Sequence, residues 1–500
     1  MSLKMIKHKV TLLSPLNRAK SIKPPLALMS IVSYLEKKGV EADLFDIKSH
    51  KGNDYVLDRI IERIQVTRPD SVGITCLTPD VLEVKRMVHR IRKEFENIKI
   101  IVGGIHPNLF LQDFLYENSP IDIVVIGEGE ITLTEICNAL STNEDISKIK
   151  GIAYFKEGKI VQTERREYIQ DLDSMPFLAY DKVDMGYYTR PSLYVIRGIF
   201  LSAFYMITSR GCPYSCKFCV DRHTSDKRIR AMSPKRVVDE MEYLIKKYKI
   251  DGICFYDDTF TASKQRALDI CNEIKSRNIN ILWSCQTRVN LLTEELAKAM
   301  SDAGCIQIAF GVESGSQEML NKINKLIKIE DARQAFKICK KYNIKQFANF
   351  MINLPNETLE QLNQTISLAK ELNANLTVFN VTTPYPGSGI YSQFSDKIKL
   401  TEVDYPKLAN YESYYDFLEF IETRAKISRY DTPLIKILEK VWIEFPGTKD
   451  FSPKLSMKYA RGAKRAIDFI WHPKYIKQIM VSSKKMKYIS GLCHIFKKHQ

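Results

Sequence analysis

The stretch Ile207–Val220, ITSRGCPYSCKFCV, sets three cysteines, Cys212, Cys216 and Cys219, at intervals of three and two intervening residues. It follows an apolar run, Phe204–Thr208, that reads as a strand, and Gly211 and Pro213 let the chain turn tightly there. Three thiolates on one loop can bind three irons of a cubane. A [4Fe–4S] cluster ordinarily takes four Cys, so three leave one iron open to a small chelating ligand.

Outward from this loop the chain alternates β-branched runs with helical patterns. Strands are expected at Phe204–Thr208, Gly252–Tyr256, Ile281–Cys285, Ile306–Gly311, Phe347–Ile352 and Leu376–Val381, and six such units predict a partial, open (β/α)6 barrel over 204–395. Upstream, runs at Lys9–Leu13, Glu41–Asp46, Ser71–Thr75, Ile98–Gly103 and Ile121–Ile126 alternate with amphipathic segments Leu26–Lys38, Tyr55–Thr67, Pro79–Phe95 and Thr132–Leu140. This predicts a doubly wound, Rossmann-like α/β domain over 1–140. Residues 141–203 read as a linker with a hairpin at Ile152–Gln162, turning through Lys156-Glu157-Gly158-Lys159, and 396–500 as a helical, basic C-terminal region.

The 500 residues are 45% apolar and 27% charged, which excludes disordered and collagen-like chains. No apolar run reaches the ~18 residues of a spanning helix, and the N-terminus lacks a signal-peptide pattern. A cytoplasmic location is expected, where the odd count of 11 cysteines points to metal or catalytic use more than to disulfides. Residues 451–500 hold twelve Lys or Arg against Asp468 alone, so +11 of the net +16 lies there. Within it Met457–Trp471 and Lys474–Met480 alternate apolar and basic residues at helical spacing. That pattern suits peripheral contact with an anionic membrane face, although an ordinary solvated helix face uses the same residues. Nucleic acid is not an expected partner.

The CxxxCxxC loop after the first barrel strand, with Phe218 before the last Cys, resembles the radical S-adenosylmethionine (SAM) superfamily. The resemblance implies a [4Fe–4S] cluster on Cys212, Cys216 and Cys219 whose open iron chelates SAM and cleaves it to a 5′-deoxyadenosyl radical. It also implies SAM contacts from Phe218, from Tyr256, Asp257 and Asp258, from Gln286 and Arg288 in WSCQTR, from Glu313 in FGVESGS and from Asn353 in FMINLPNETLE. Asn353 and Asn356 stand where relatives commonly have glycine, and Asn tolerates left-handed backbone. TPYPGSGIY, Thr383–Tyr391, resembles the loop after the sixth strand.

PPLALMSIVSYLEKKG, VGGIHPNL and VVIGEGEITL, taken with that loop, resemble the cobalamin-binding domain of the cobalamin-dependent radical SAM class, which includes methyltransferases and anaerobic cyclases. The resemblance spans about residues 10–390. The cobalamin contacts it implies are Thr75, Gly103, Gly104, His106, Gly127, Glu128 and Gly129. The motif Asp-x-His-x-x-Gly, whose His ligates cobalt, is absent; DIKSHKG has His50 at a different spacing. His106, in a Gly-Pro turn, reads as structural or as a contact to the corrin periphery more than as a cobalt ligand.

The expected activity is methylation of an unactivated carbon of a hydrophobic, lipid or isoprenoid-like substrate, with a methyl group carried on cobalamin. Oxidative cyclisation of a tetrapyrrole or membrane lipid is the alternative. A flavodoxin- or ferredoxin-type protein would donate electrons. Methylthio transfer to transfer RNA is a minor alternative, because the N-terminal region offers only Cys76 and Cys137 where that family carries three cluster cysteines. Cys254, Cys271, Cys285, Cys305, Cys339 and Cys493 read as buried small apolar residues.

Overall fold

The computed structural model describes residues 6–15, 23–47, 56–220, 227–409 and 414–445. The expectations for His50, for the basic segments within 457–480 and for Cys493 lie outside them.

The first sheet holds β1 (Ile6–Ser14), β2 (Val40–Asp46), β3 (Ser71–Thr75), β4 (Lys99–Gly103) and β5 (Ile123–Val125), all parallel, then β6 (Ile152–Lys156) and β7 (Lys159–Gln162). Its order is β2-β1-β3-β4-β5-β6-β7. Strands covered on both faces must be apolar throughout, and Val10, Leu12 and Leu13 of β1 and Ile100–Val102 of β4 are buried to match. The helix Val81–Glu94 shows the complementary pattern: Val81, Val84, Met87, Val88 and Ile91 recur at three and four and are fully buried.

Two features differ from the sequence reading. The hairpin does not stand apart as linker, because β6 pairs antiparallel with β5 and extends the first sheet. Its turn places Glu157 (φ 51°) and Gly158 (φ 76°) in left-handed backbone, which matches the strand twist of a two-residue hairpin turn. The helix expected at Thr132–Leu140 runs over Gly129–Thr142; its first turn, GEIT, looks loop-like in sequence because glycine is a poor helix former.

The second sheet is β8 (Ala203–Met206), β11 (Gly252–Phe255), β12 (Leu282–Thr287), β13 (Cys305–Glu313), β14 (Lys345–Ile352) and β15 (Leu376–Val381), parallel and in sequential order. A small antiparallel ribbon, β9 (Ser209–Arg210) with β10 (Arg230–Ala231), stands between the first two. Each β-strand turns alternate residues outward to the helices: Phe204, Phe255, Trp283, Phe310 and Phe350 are buried in the main core. Phe255, Phe260 and Trp283 meet at centroid distances of 4.7–5.6 Å, and Trp283 Nε1 donates to the Ala303 carbonyl at 2.8 Å, so the large ring carries no unmet donor. Four of the barrel helices begin on side-chain caps, Ser233, Ser263, Thr293 and Thr358.

After the barrel the chain returns to the first domain. The 3-10 turn Glu402–Ala409 packs beside the helix Val81–Glu94: Glu402 pairs with Lys85, and the Tyr405 ring lies 4.8 Å from the His106 ring. Among the described residues no helix is long and apolar enough to cross a membrane.

Candidate functional site

The carboxyl ends of both sheets open onto one cavity of about 460 Å³. Parallel sheets present their ligand loops at that edge, above all where strand order reverses, here between β1 and β3. From the first domain Leu12, Ile31, Gly73–Thr75, Gly103, Gly104 and Gly127–Glu130 line the space; from the barrel come Met206, Ile207, Ser209–Gly211, Tyr256 and Asp258.

The first-domain wall is recessed by glycine. A Cβ on Gly104, at φ 109°, would lie 2.6 Å from the Cys76 carbonyl oxygen, and one on Gly129 would lie 2.8 Å from Ile31 Cδ1. Gly127, at φ 86°, faces open space. A flat, bulky ring needs such a wall, where backbone instead of side chain meets the ligand. Thr75 and Glu128 stand at the same edge, so six of the seven residues expected to contact cobalamin line one cavity.

His106 is the exception. It is fully buried away from the cavity, with Nδ1 3.1 Å from Thr78 Oγ1 and Nε2 donating to Asp113 at 2.9 Å. Phe110, Phe114 and Tyr405 surround the ring. With both nitrogens engaged, this imidazole is a packing and hydrogen-bonding centre, not a group presented to a metal.

The cysteine loop is tied down from several sides. Lys217 N donates to the Ile323 carbonyl and Ile390 N to the Lys217 carbonyl, each at 2.9 Å, and Asn324 Nδ2 donates to the Ser215 carbonyl at 2.9 Å. Phe218 wedges between the Met319–Met351 and Ile390–Phe394 clusters. Cys216 is buried, while Cys212 and Cys219 are half-buried, and the described cysteines carry no disulfide. Arg288 lies against this loop, with Nη1 3.6 Å from Cys216 Sγ and the guanidinium 3.7 Å from the Tyr214 ring centroid, where it would meet the negative charge of a thiolate-bound cluster. Among the described residues no three His, Cys, Asp or Glu side chains converge on a single ion; a cubane asks for one thiolate at each of three irons. An anchored three-thiol loop with an adjacent cation fits that group.

The other residues singled out in the barrel separate by the direction of their side chains. Tyr256 and Asp258 face the cavity. Asp257, between them, points the other way and is buried, accepting from Thr208 N at 2.5 Å, Thr208 Oγ1 at 2.6 Å and Ser209 N at 3.2 Å. Burial pushes its carboxyl upward, against the pull of Arg266 and these hydrogen bonds. Asp257 therefore holds the root of the cysteine loop and does not line the cavity. Gln286 lies half-buried on the inner face of β12.

Glu313 ends β13 in left-handed backbone (φ 66°) and accepts from Lys325 Nζ at 2.6 Å, both side chains deeply buried. A Cβ on Gly311 would lie 2.4 Å from Glu313 Oε1 and 2.6 Å from Lys325 Nζ, so that glycine makes room for the pair. The Lys325 carbonyl accepts from Arg288 Nη2, joining the pair to the cysteine loop. Asn353 adopts the left-handed backbone anticipated for it (φ 61°), yet its side chain is fully buried: Nδ2 reaches the Thr382 and Ala425 carbonyls and Oδ1 accepts from Ser428 Oγ at 2.8 Å. It fastens the loop after β14 to the segment 425–430, and no adenine contact falls to its side chain.

Several site residues carry no local motif. Lys23 donates to Tyr256 Oη and lies 4.2 Å from that ring's centroid, bringing a cation from the first domain to the barrel mouth. Arg210 and Arg230 reach Glu128 and Glu130, partners 80 to 102 residues away. Only the fold brings such pairs together.

Two family models match the chain: the radical SAM superfamily over residues 206–369 and the B12 binding domain over 15–137. An uncharacterized methyltransferase of Pyrococcus horikoshii is 33% identical over 424 residues, covering 84% of this chain and 87% of that protein. The anaerobic magnesium-protoporphyrin IX monomethyl ester cyclase of Rubrivivax gelatinosus is 29% identical, covering 89% and 78%. Among solved structures, the radical SAM methyltransferase TsrM of Kitasatospora setae, with cobalamin and a [4Fe–4S] cluster bound, shares the fold at a TM-score of 0.66, with 21% identity over 79% of this chain and 76% of that one.

Proposed function

The chain belongs to the cobalamin-binding radical SAM enzymes, and from that premise we propose that it methylates an unactivated carbon of a small, largely apolar molecule. The observation that carries this reading is the shared cavity: the glycine-recessed edge of the first sheet faces the root of the cysteine loop across one space. When bound, the cluster supplies the electron that cleaves SAM, and cobalamin supplies a cobalt able to carry a methyl group. Cys212, Cys216 and Cys219 would hold the cluster, and Arg288 would balance its charge. Tyr256, Asp258 and Glu313 would orient SAM. Gly103, Gly104 and Gly127–Gly129 would admit the corrin, while Leu12, Ile31 and Met206 keep the space dry.

An apolar acceptor is supported by these lining residues and by the basic, amphipathic sequence of 457–480, which suits work beside an anionic membrane. A flavodoxin- or ferredoxin-type electron donor accompanies this reading. Anaerobic turnover with SAM bearing a trideuterated methyl group tests it. Expected are S-adenosylhomocysteine and 5′-deoxyadenosine together, with label in an extracted lipid. Cleavage to 5′-deoxyadenosine with no S-adenosylhomocysteine would overturn methyl transfer in favour of the second reading, ring formation, which the likeness to the anaerobic cyclase supports.

A further inference from the structure

One side of the shared cavity is lined by four paired charges, Glu130 and Arg230 buried and Glu128 and Arg210 half-buried. β9 and β10 pair with Arg210 directly opposite Arg230, so the ribbon fixes the chain two residues before Cys212. Both arginines leave the ribbon toward the first domain. Glu128 Oε1 accepts from Arg210 Nη1 and from Arg230 Nη1, each at 2.8 Å, and its Oε2 accepts from Arg230 Nη1 at 3.0 Å and from Ile169 N at 2.8 Å. Arg210 Nη2 donates to Glu130 Oε1 at 2.6 Å, an oxygen that also accepts from Ser30 Oγ at 2.7 Å. Burial opposes charge on Arg210 and Glu130, but each outweighs that cost for the other: the guanidinium is held above its usual range and the carboxyl below.

Two features make this more than a brace. Glu128 and Glu130 flank Gly129 on the stretch Gly127–Glu130, which lines the cavity together with Arg210 and Arg230. The four charges balance, two of them buried and two half-buried, so a shift of one carboxylate leaves a largely desolvated guanidinium short of partners, which is costly. A bulky ligand pressing on Gly127–Gly129 can therefore reach the cysteine loop through a single carboxylate.

We propose that Glu128, Arg230 and Arg210 are positioning residues that couple cobalamin binding to the seating of the iron–sulfur loop. The coupling goes beyond the methyl-transfer reading and holds whatever the acceptor. Coupling between two binding sites is reciprocal, so the cluster must tighten cobalamin by the factor with which cobalamin tightens the loop.

The test is the ratio of hydroxocobalamin dissociation constants, measured by anaerobic equilibrium dialysis, for cluster-free and cluster-reconstituted full-length protein. The wild type is expected to bind roughly tenfold more tightly with its cluster. Glu128→Gln and Arg230→Lys should each bring the ratio to within about twofold of one. A merely structural brace would move both constants together and leave the ratio alone. Arg230→Lys keeps the charge while losing the planar guanidinium whose Nη1 meets both Glu128 oxygens and the Ile169 carbonyl, and it reads the same ratio if Glu128→Gln fails to fold. A ratio near one in the wild type overturns the proposal, as does a wild-type ratio that survives in a variant.

Discussion

The two sheet edges that face each other across the cavity are built by opposite means. On the first sheet the wall is made by removing side chains: Gly103, Gly104, Gly127 and Gly129 bring backbone to the surface, and the polar groups nearby are tied to one another. On the barrel the edge is made by adding them: three cysteines, Arg288, the Glu313–Lys325 pair, Tyr256 and Asp258. The contrast follows from what each edge must hold. A large preformed ring needs room and many weak contacts, whereas a small reactive group needs charge and ligands fixed to a fraction of an ångström.

Removing a ligand on the barrel edge should cost most. Cys216→Ser is expected to lose the cluster and all 5′-deoxyadenosine formation while still binding cobalamin, as measured by iron content and product analysis. Retention of full iron would remove Cys216 from the ligand set.

Next comes the buried pair. Lys325→Met strands the buried Glu313 carboxylate, so a loss of about 3–5 kcal/mol is expected in denaturant unfolding. A loss below about 1 kcal/mol would show the pair to be solvated like a surface bridge.

Glu357, in the loop after β14, sharpens the contrast through pH. Burial pushes its carboxyl up to about 7, opposed by the Tyr430 hydroxyl and two backbone amides. A carboxyl raised in the folded state stabilises the protein fully below its unfolded value near 4.5, and that stability fades as pH rises to about 7. The wild type should lose about 3 kcal/mol across that window, and Glu357→Gln should not show this slope. Parallel melting curves of the two proteins against pH would contradict the assignment.

On the first sheet the effects are smaller. A Cβ on Gly103 meets Val125 only at 3.6 Å, so Gly103→Val leaves the backbone at ease while filling the cavity. Cobalamin affinity should fall roughly tenfold, about 1.4 kcal/mol, with the cluster retained. Comparable in size is His106→Ala: about 1–2 kcal/mol of stability, from Thr78 and Asp113 left without their partner. The visible spectrum of bound cobalamin should not change, and a shift in it would restore His106 as a metal ligand.

The same contrast decides what could be read from the chain alone. The two sheets were legible because parallel strands buried on both faces must be continuous apolar runs, and the cysteine loop because cluster chemistry fixes ligand spacing. Glycines at strand ends were legible for the same reason of necessity. The role of Asp257 was not: a YDD triplet just past a strand end does not say which acid turns inward, and the middle one faces the loop root, not the cavity. Asn353 showed its backbone conformation but not that its amide is consumed by residues 382 and 425–428. Arg210, Arg230 and Lys23 left no trace, since their partners lie 80 or more residues away and an isolated Arg or Lys reads as surface. The hairpin was found, but its place on the edge of the first sheet depends on pairing with β5, which only the assembled fold supplies.

The shared cavity is the claim on which the rest depends, and paramagnetic resonance reaches it directly. Cob(II)alamin bound to protein carrying a reduced cluster should show a cobalt signal broadened, with faster relaxation, by the nearby iron–sulfur spin, and Cys216→Ser should restore the sharp signal. An unbroadened cobalt signal at full iron and cobalamin content would mean that the two edges do not hold their cofactors across one space.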